Sequence, residues 1–119
     1  MYKYKQIVAT FYGCKADLMD EAGFLKASLD AIKRARMELA KTGGENPLHY
    51  RIEEDVMGGG VSINALIVTS HLTIHTSKKY NSVEFDCATC GEDSEPEEAL
   101  KAFMDFLKAE RVDIRYRNF

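Results

Sequence analysis

Val61-Ser62-Ile63-Asn64-Ala65-Leu66-Ile67-Val68, then Thr69-Ser70, then His71-Leu72-Thr73-Ile74-His75-Thr76 is the stretch on which the fold turns. Its apolar and β-branched content predicts one long bent strand or two strands, Val61 to Val68 and His71 to Thr76, with the Thr69-Ser70 bond at the break. Side chains alternate across a strand, so Ser70 and His75 point to opposite faces and meet only if a bend or bulge lies between them. A bend is also what an exposed peptide bond at Thr69-Ser70 needs.

Outward from this stretch, Tyr4 to Tyr12 reads as a strand ended by Gly13, Leu48 to Val56 as another, and Val112 to Tyr116 as the last. Ser82 to Thr89 alternates through Val83, Phe85 and Cys87, the pattern of a half-buried strand. Asp20 to Ala40 reads as a helix whose apolar stripe is Leu25, Leu29, Ile32, Ala35 and Leu39, and Glu97 to Glu110 as a helix burying Leu100, Phe103 and Leu107. The acidic run Glu92-Asp93-Ser94-Glu95 before Pro96 predicts N-terminal capping of that second helix, where carboxylates meet the positive end of the dipole and Pro is tolerated. Lys41 to Pro47 is a loop, and Gly58-Gly59-Gly60 a turn that lets backbone approach closely. Two one-sided helices and five or six strands make an α+β two-layer sandwich, with both helices on one face of a mainly antiparallel sheet and residues 1–119 forming a single domain.

Composition narrows the function. At 119 residues the chain can close one core but is short for enclosing a ligand pocket alone, so dimerisation would help build one. A formal net charge of −3 gives no basic footprint for nucleic acid. No apolar run approaches the roughly 20 residues of a membrane span. The basic start, Met1 to Gln6, is followed by no apolar h-region, so secretion is not expected. Three cysteines without a disulfide pattern suit a reducing cytoplasm.

Several polar side chains in these strands are of types that carry chemistry. Ser62 and Ser70 are hydroxyls, His75 is a base, and Cys90 is a thiol with an ordinary pKa of roughly 8.5 that can donate a proton near neutrality. Any one of them alone on a strand is ordinarily just a hydrogen-bonded polar residue. Cys87-Ala88-Thr89-Cys90 is also a CxxC pair, yet a structural zinc site needs four ligands and Cys14 is remote and beside no histidine pair. On a strand Cys87 and Cys90 face opposite ways, which makes Cys87 a small buried hydrophobe and leaves the chain with no metal site. His71 faces away from Ser70 and is assigned a structural role; His49 has no supporting neighbours.

Taken together, Val61-Ser62, the run from Ser70 to Thr76 and Thr89-Cys90-Gly91 resemble the prokaryotic S-adenosylmethionine decarboxylases, which read Val-Ser, Glu-Ser-His-Leu-Thr-Ile-His-Thr and Thr-Cys-Gly at these places. The likeness extends from Ile7-Val8-Ala9-Thr10-Phe11-Tyr12-Gly13-Cys14 to the last strand. It implies a self-processing enzyme of polyamine (spermidine) biosynthesis. Ser70 would attack the carbonyl of Thr69, convert the peptide bond to an ester, and after β-elimination leave a pyruvoyl cofactor at residue 70. That group forms a Schiff base with a substrate amine and accepts the electrons left by carbon dioxide. By the same resemblance His75 and Ser62 support processing, Cys90 returns the proton, and the site lies at the interface of a homodimer.

Three positions depart from the family pattern. Thr69 stands where the family has Glu, and its β-branch restricts approach to the cleaved bond. Val56 aligns with an aromatic that stacks on adenine, and Lys79 with the acid that holds the ribose hydroxyls; valine cannot stack, and lysine donates where a carboxylate accepts. The last two changes suit a smaller amino acid, arginine or ornithine, as substrate; alternatively, all three mark an unprocessed, silent homologue acting as an interaction subunit. Phe11, Tyr12 and Tyr80 are the aromatics that could supply stacking instead.

Overall fold

The computed structural model describes residues 4–56, 58–68, 70–90 and 93–118. Thr69 and the pair Gly91 and Glu92, which the sequence reading invokes, lie outside them. The elements are β1 (Tyr4–Tyr12), α1 (Glu21–Arg34), β2 (Leu48–Ile52), β3 (Gly60–Ile67), β4 (Ser70–Ser77), β5 (Ser82–Cys90), α2 (Pro96–Leu107) and β6 (Arg111–Asn118). The strands form one sheet in the order β2-β3-β4-β5-β1-β6, and every neighbouring pair is antiparallel.

Alternation assigns the two faces. Ile7, Ala9 and Phe11 of β1, Val61, Ile63, Ala65 and Ile67 of β3, Leu72 and Ile74 of β4, and Val83, Phe85 and Cys87 of β5 turn to one side and are buried. Both helices pack there: α1 through Phe24, Ala27, Ala31 and Ile32, α2 through Ala99, Leu100, Phe103 and Leu107. An edge-to-face chain of rings crosses this core, Phe11 to Phe85 at 6.4 Å, Phe85 to Phe103 at 5.7 Å, Phe103 to Phe106 at 6.2 Å and Phe106 to Phe24 at 5.1 Å. Such contacts each add about 0.5–1.5 kcal/mol beyond burial. No helix covers the opposite face, where Leu48, Tyr50 and Leu66 are exposed beside polar residues of β4 and β5.

The expected α+β two-layer architecture is the observed one, but several boundaries move. α1 ends at Arg34, not Ala40, because Arg36 turns to φ +58° and the chain leaves to brace the end of β3. There Glu38 accepts from Val68 N–H at 2.8 Å, Leu66 accepts from Ala40 N–H at 2.9 Å, and Leu39 bridges Ile67. The buried stripe of α1 runs through Phe24, Ala27 and Ala31, and Leu29 is exposed. β2 stops at Ile52, since Glu53-Glu54-Asp55 enters a turn closed by Val56 N–H to the Glu53 carbonyl at 3.0 Å. α2 ends at Leu107 rather than Glu110, capped by Lys108 in the left-handed region at φ +49°. Pro96 opens α2, but Glu95 at the N-cap makes no side-chain cap; its own N–H donates to the Ala35 carbonyl at 2.8 Å. Asp20 caps α1 instead, accepting from Gly23 N–H at 3.0 Å.

Gly58 and Gly59 hold φ of +84° and +87°, and a Cβ on Gly60 would lie 2.2 Å from the Thr76 carbonyl oxygen. The glycine triplet therefore lets the 53–59 loop fold back over the end of β4.

Phe85 touches two other rings at the centre of this core. Phe85→Ala is expected to cost about 3–5 kcal/mol, read as a lowered midpoint in urea denaturation with little change in slope.

Candidate active site

β3 and β4 are joined through Val68 and Thr69 alone, and their register is continuous, from Ile67 opposite Ser70 to Ser62 opposite His75. No bulge interrupts it. The chain turns before Ser70 and not between Ser70 and His75, so the bend that would bring the two together is not there. Five residues at roughly 3.3 Å each hold the two side chains about 16 Å apart along β4, on opposite faces.

The candidates fall into two groups. Ser62 and His75, directly opposed on the uncovered face, are bonded, Oγ to Nδ1 at 2.9 Å. When Ser62 accepts from Nδ1–H, Nε2 is left bare as a base directed away from the pair. Glu84 stands next across the sheet from His75, and its carboxylate accepts from Thr10 Oγ1 at 3.0 Å. At the other end of β4, Ser70 Oγ accepts from the Cys90 backbone N–H at 3.0 Å, which ties the candidate nucleophile to the strand end that carries the candidate proton donor.

Cys87 and Cys90 occupy opposite faces as alternation requires. Cys87 is wholly buried, with its sulfur 4.0 Å from that of Met37, and Cys90 is half-buried on the uncovered side. Burial, with smaller contributions from the Asp86 and Glu97 charges, pushes the Cys87 thiol up to about 12. Among the described residues no three His, Cys, Asp or Glu side chains converge as metal ligands.

A pocket of about 220 Å³ opens beside His75, lined also by Ile52, Val56, Gly59, Thr76, Ser77 and Tyr80. Val56 is thus one wall of this pocket. Of the three alternative aromatics, Phe11 is buried in the core and Tyr12 lies under Arg111 at 4.2 Å, whereas Tyr80 is 70 % exposed at the pocket. Lys79 lies 5.4 Å from the Tyr80 ring. The loop bearing Val56 is stapled by Lys78 Nζ to Glu54 at 2.6 Å, and that hydrogen bond, with the ammonium charge, holds the Glu54 carboxyl below its usual range. A larger cavity of about 520 Å³ between α1 and α2 lies behind the sheet, away from every candidate group.

Two residues that sequence reasoning passed over belong to the uncovered face. Asp86 accepts from Gln6 at 3.0 Å and lies 3.3 Å from His71 Nε2, while Glu84 flanks His75. The signal was the alternation itself: Glu84 and Asp86 interleave with Val83, Phe85 and Cys87, so they must face away from the core.

The S-adenosylmethionine decarboxylase family model matches residues 5–118. The S-adenosylmethionine decarboxylase proenzyme of Thermosipho melanesiensis is 32 % identical over 110 residues, covering 92 % of this chain and 78 % of that one. The arginine decarboxylase proenzyme of Ignicoccus hospitalis is 32 % identical over 113 residues, covering 94 % and 74 %. The adenosylmethionine decarboxylase of Aquifex aeolicus shares the fold, with a TM-score of 0.79 at 23 % identity over 96 % of this chain and 88 % of that one.

Because its thiolate is disfavoured and its sulfur sealed off, Cys87 is expected to resist iodoacetamide at pH 8 at least about 100-fold better in native than in denatured protein, by peptide mass mapping. The raised value also has a stability sign. The contribution of the neutral thiol is complete below the ordinary thiol range and is lost as pH rises toward about 12.

Proposed function

Because the chain belongs to the S-adenosylmethionine decarboxylase family of pyruvoyl-dependent decarboxylases, we propose that it matures by cutting itself between Thr69 and Ser70 and then decarboxylates S-adenosylmethionine. The observation that carries this reading is the position of Ser70 at the mouth of a two-residue hairpin connection, its hydroxyl oxygen held by the Cys90 N–H at 3.0 Å. Such connections favour Gly, Asn or Asp, and Val68-Thr69 offers two β-branched residues instead. That mismatch suits a bond that is to be broken.

In the proposed maturation Ser70 Oγ bonds to the Thr69 carbonyl carbon as the C–N bond breaks, giving an ester. A base removes the Ser70 Cα proton, and the Cβ–Oγ bond breaks, so that Oγ leaves in the new carboxylate of Thr69. Water then replaces the freed nitrogen, and ammonia departs. His75 is the base this chain offers, with Ser62 fixing its ring. The pyruvoyl group so formed supplies a ketone that takes up a substrate amine and stores the electrons left by carbon dioxide. Cys90, whose backbone N–H reaches residue 70, is the group proposed to return a proton to the substrate carbon.

His75 cannot serve the Ser70 of its own protomer across about 16 Å of rigid strand. We therefore assign the complete site to a homodimer in which the uncovered sheet faces meet about a two-fold axis, with the Ser70 end of β4 and Cys90 of one protomer set against Ser62 and His75 of the other. Exposed Leu48, Tyr50 and Leu66 on that face support the pairing. So does the pocket, whose 220 Å³ falls short of the roughly 300–1,000 Å³ of ligand sites.

The apolar wall of Ile52, Val56 and the open ring of Tyr80, with no carboxylate among the described lining residues, suits a nucleoside more than a guanidinium. Arginine is the second reading, favoured by the likeness to the Ignicoccus hospitalis proenzyme and by Lys79 in place of a ribose-binding acid. Release of carbon dioxide from each carboxyl-labelled substrate separates the two.

Intact mass of purified protein is expected to give two fragments, the C-terminal one lighter by ammonia than a serine-ended piece and trapped by a carbonyl reagent; a lasting single chain would refute the cleavage. Ser70→Ala is expected to abolish cutting, and Cys90→Ala to permit it while lowering kcat by about 100-fold. Co-expressed Ser70→Ala and His75→Ala chains should recover roughly a quarter of the sites, with only the His75→Ala chain cut, since random pairing makes half the dimers mixed with one competent site each.

A further inference from the structure

Once the hairpin is cut, residue 70 becomes a chain end, and chain ends of strands fray at almost no free-energy cost. The hydrogen bond that holds Ser70 in the intact chain does not survive the reaction, because the accepting Oγ leaves with the Thr69 carboxylate. The new C-terminal side keeps its own brace within its fragment, through Val68 N–H to Glu38 and Ala40 N–H to Leu66. The new N-terminal side needs a different anchor.

His71, the residue whose amide carries the new end, supplies it. Its Nε2 lies 3.3 Å from Asp86 Oδ1, and the same oxygen accepts from Gln6 Nε2 at 3.0 Å. His71 and Gln6 are register partners of the same residue, Ala88, from the two strands that flank β5. Asp86 therefore ties β4, β5 and β1 together one residue from the cut, on the face where His71 is about two-fifths exposed, at 38 %. These contacts involve neither Ser70 nor any residue before it in the hairpin, so they outlast cleavage.

We propose that Gln6, Asp86 and His71 form a positioning clamp that fixes the residue-70 end of β4 after the chain is cut, holding the reactive carbonyl in register with Cys90. The clamp rests on the cleavage proposed above. In the uncut chain the covalent hairpin already fixes β4, so the clamp is redundant there. Its worth appears only in the mature enzyme, where a displacement of about 1 Å can cost roughly 100-fold in rate.

The test compares Asp86→Ala in the self-processing protein and in an uncut Ser70→Ala background, by intact mass, amide exchange at residues 71–73 and steady-state kinetics. Expected are normal cutting, exchange raised about ten-fold or more in the cut protein but less than about two-fold in the uncut one, and kcat lowered at least about ten-fold with KM changed less. Asp86→Asn, which keeps an acceptor for Gln6 and His71, is expected to restore most of the loss. Gln6→Leu gives the same pattern should Asp86→Ala fail to fold. Equal exchange increases in both backgrounds would reduce the three residues to ordinary sheet contacts and overturn the clamp, as would unchanged exchange and kcat in the cut protein, or cleavage lost in Asp86→Ala. A parent protein that is never cut would remove the cleavage itself and the clamp with it.

Discussion

Side chains of β4 alternate between the helices and the uncovered face, and its pairing with β3 runs from Ser62 opposite His75 to Ile67 opposite Ser70 without a bulge. A slip of one residue would turn Leu72 and Ile74 out of the core and expose them to water, so burial of these two side chains pins the register. The same pinning fixes where the polar residues go. Ser62 and His75 meet because they are directly opposed, and Ser70 and His75 are kept apart because they share one straight strand. Separation of the proposed nucleophile and base is thus a by-product of packing the core.

The sheet divides labour between its faces. Rings of Phe11, Phe85, Phe103, Phe106 and Phe24 interlock on the helix side. On the other side polar groups are held by single hydrogen bonds from neighbouring strands, Thr10 to Glu84, Gln6 to Asp86 and Ser62 to His75. Each of these is worth about 1–3 kcal/mol, so the stability of the domain rests on the helix-side core more than on this face. The turns beside that face can change residue by residue, as at Val56 and Lys79, without risk to the fold.

Much of this was legible in the sequence, and the exceptions have physical causes. β1, β5 and α2 announce themselves by period, since Ile7 to Phe11, Val83 to Cys87 and Leu100 to Leu107 each bury one regular stripe. The end of α1 did not, because Leu39 keeps helical spacing but is drawn off to bridge Ile67, a partner distant in the chain. Leu29 misled for a related reason: small residues such as Ala27 and Ala31 let the helix lie close to the sheet, and a small-residue stripe carries little hydrophobic signal. At the site, the motif residues Ser62, Ser70, His75 and Cys90 were visible as types. Their division into two ends of one strand required knowing that no bulge lies between them, which spacing cannot tell. Gln6 and Asp86 come from strands far apart in sequence and meet only through the insertion of β1 beside β5.

That insertion has a bearing on what a cut at residue 69 leaves behind. The first piece would own β1, β2 and β3, the second β4, β5 and β6, and in the sheet order these alternate as two, two, one and one. β1 is threaded between β5 and β6 like a bolt through a hasp, so the pieces share three seams rather than one. Parting them means opening all three seams and emptying the core together. A severed backbone would therefore behave in solution as one body, and its halves, once pulled apart, would have to find each other by diffusion before either could fold.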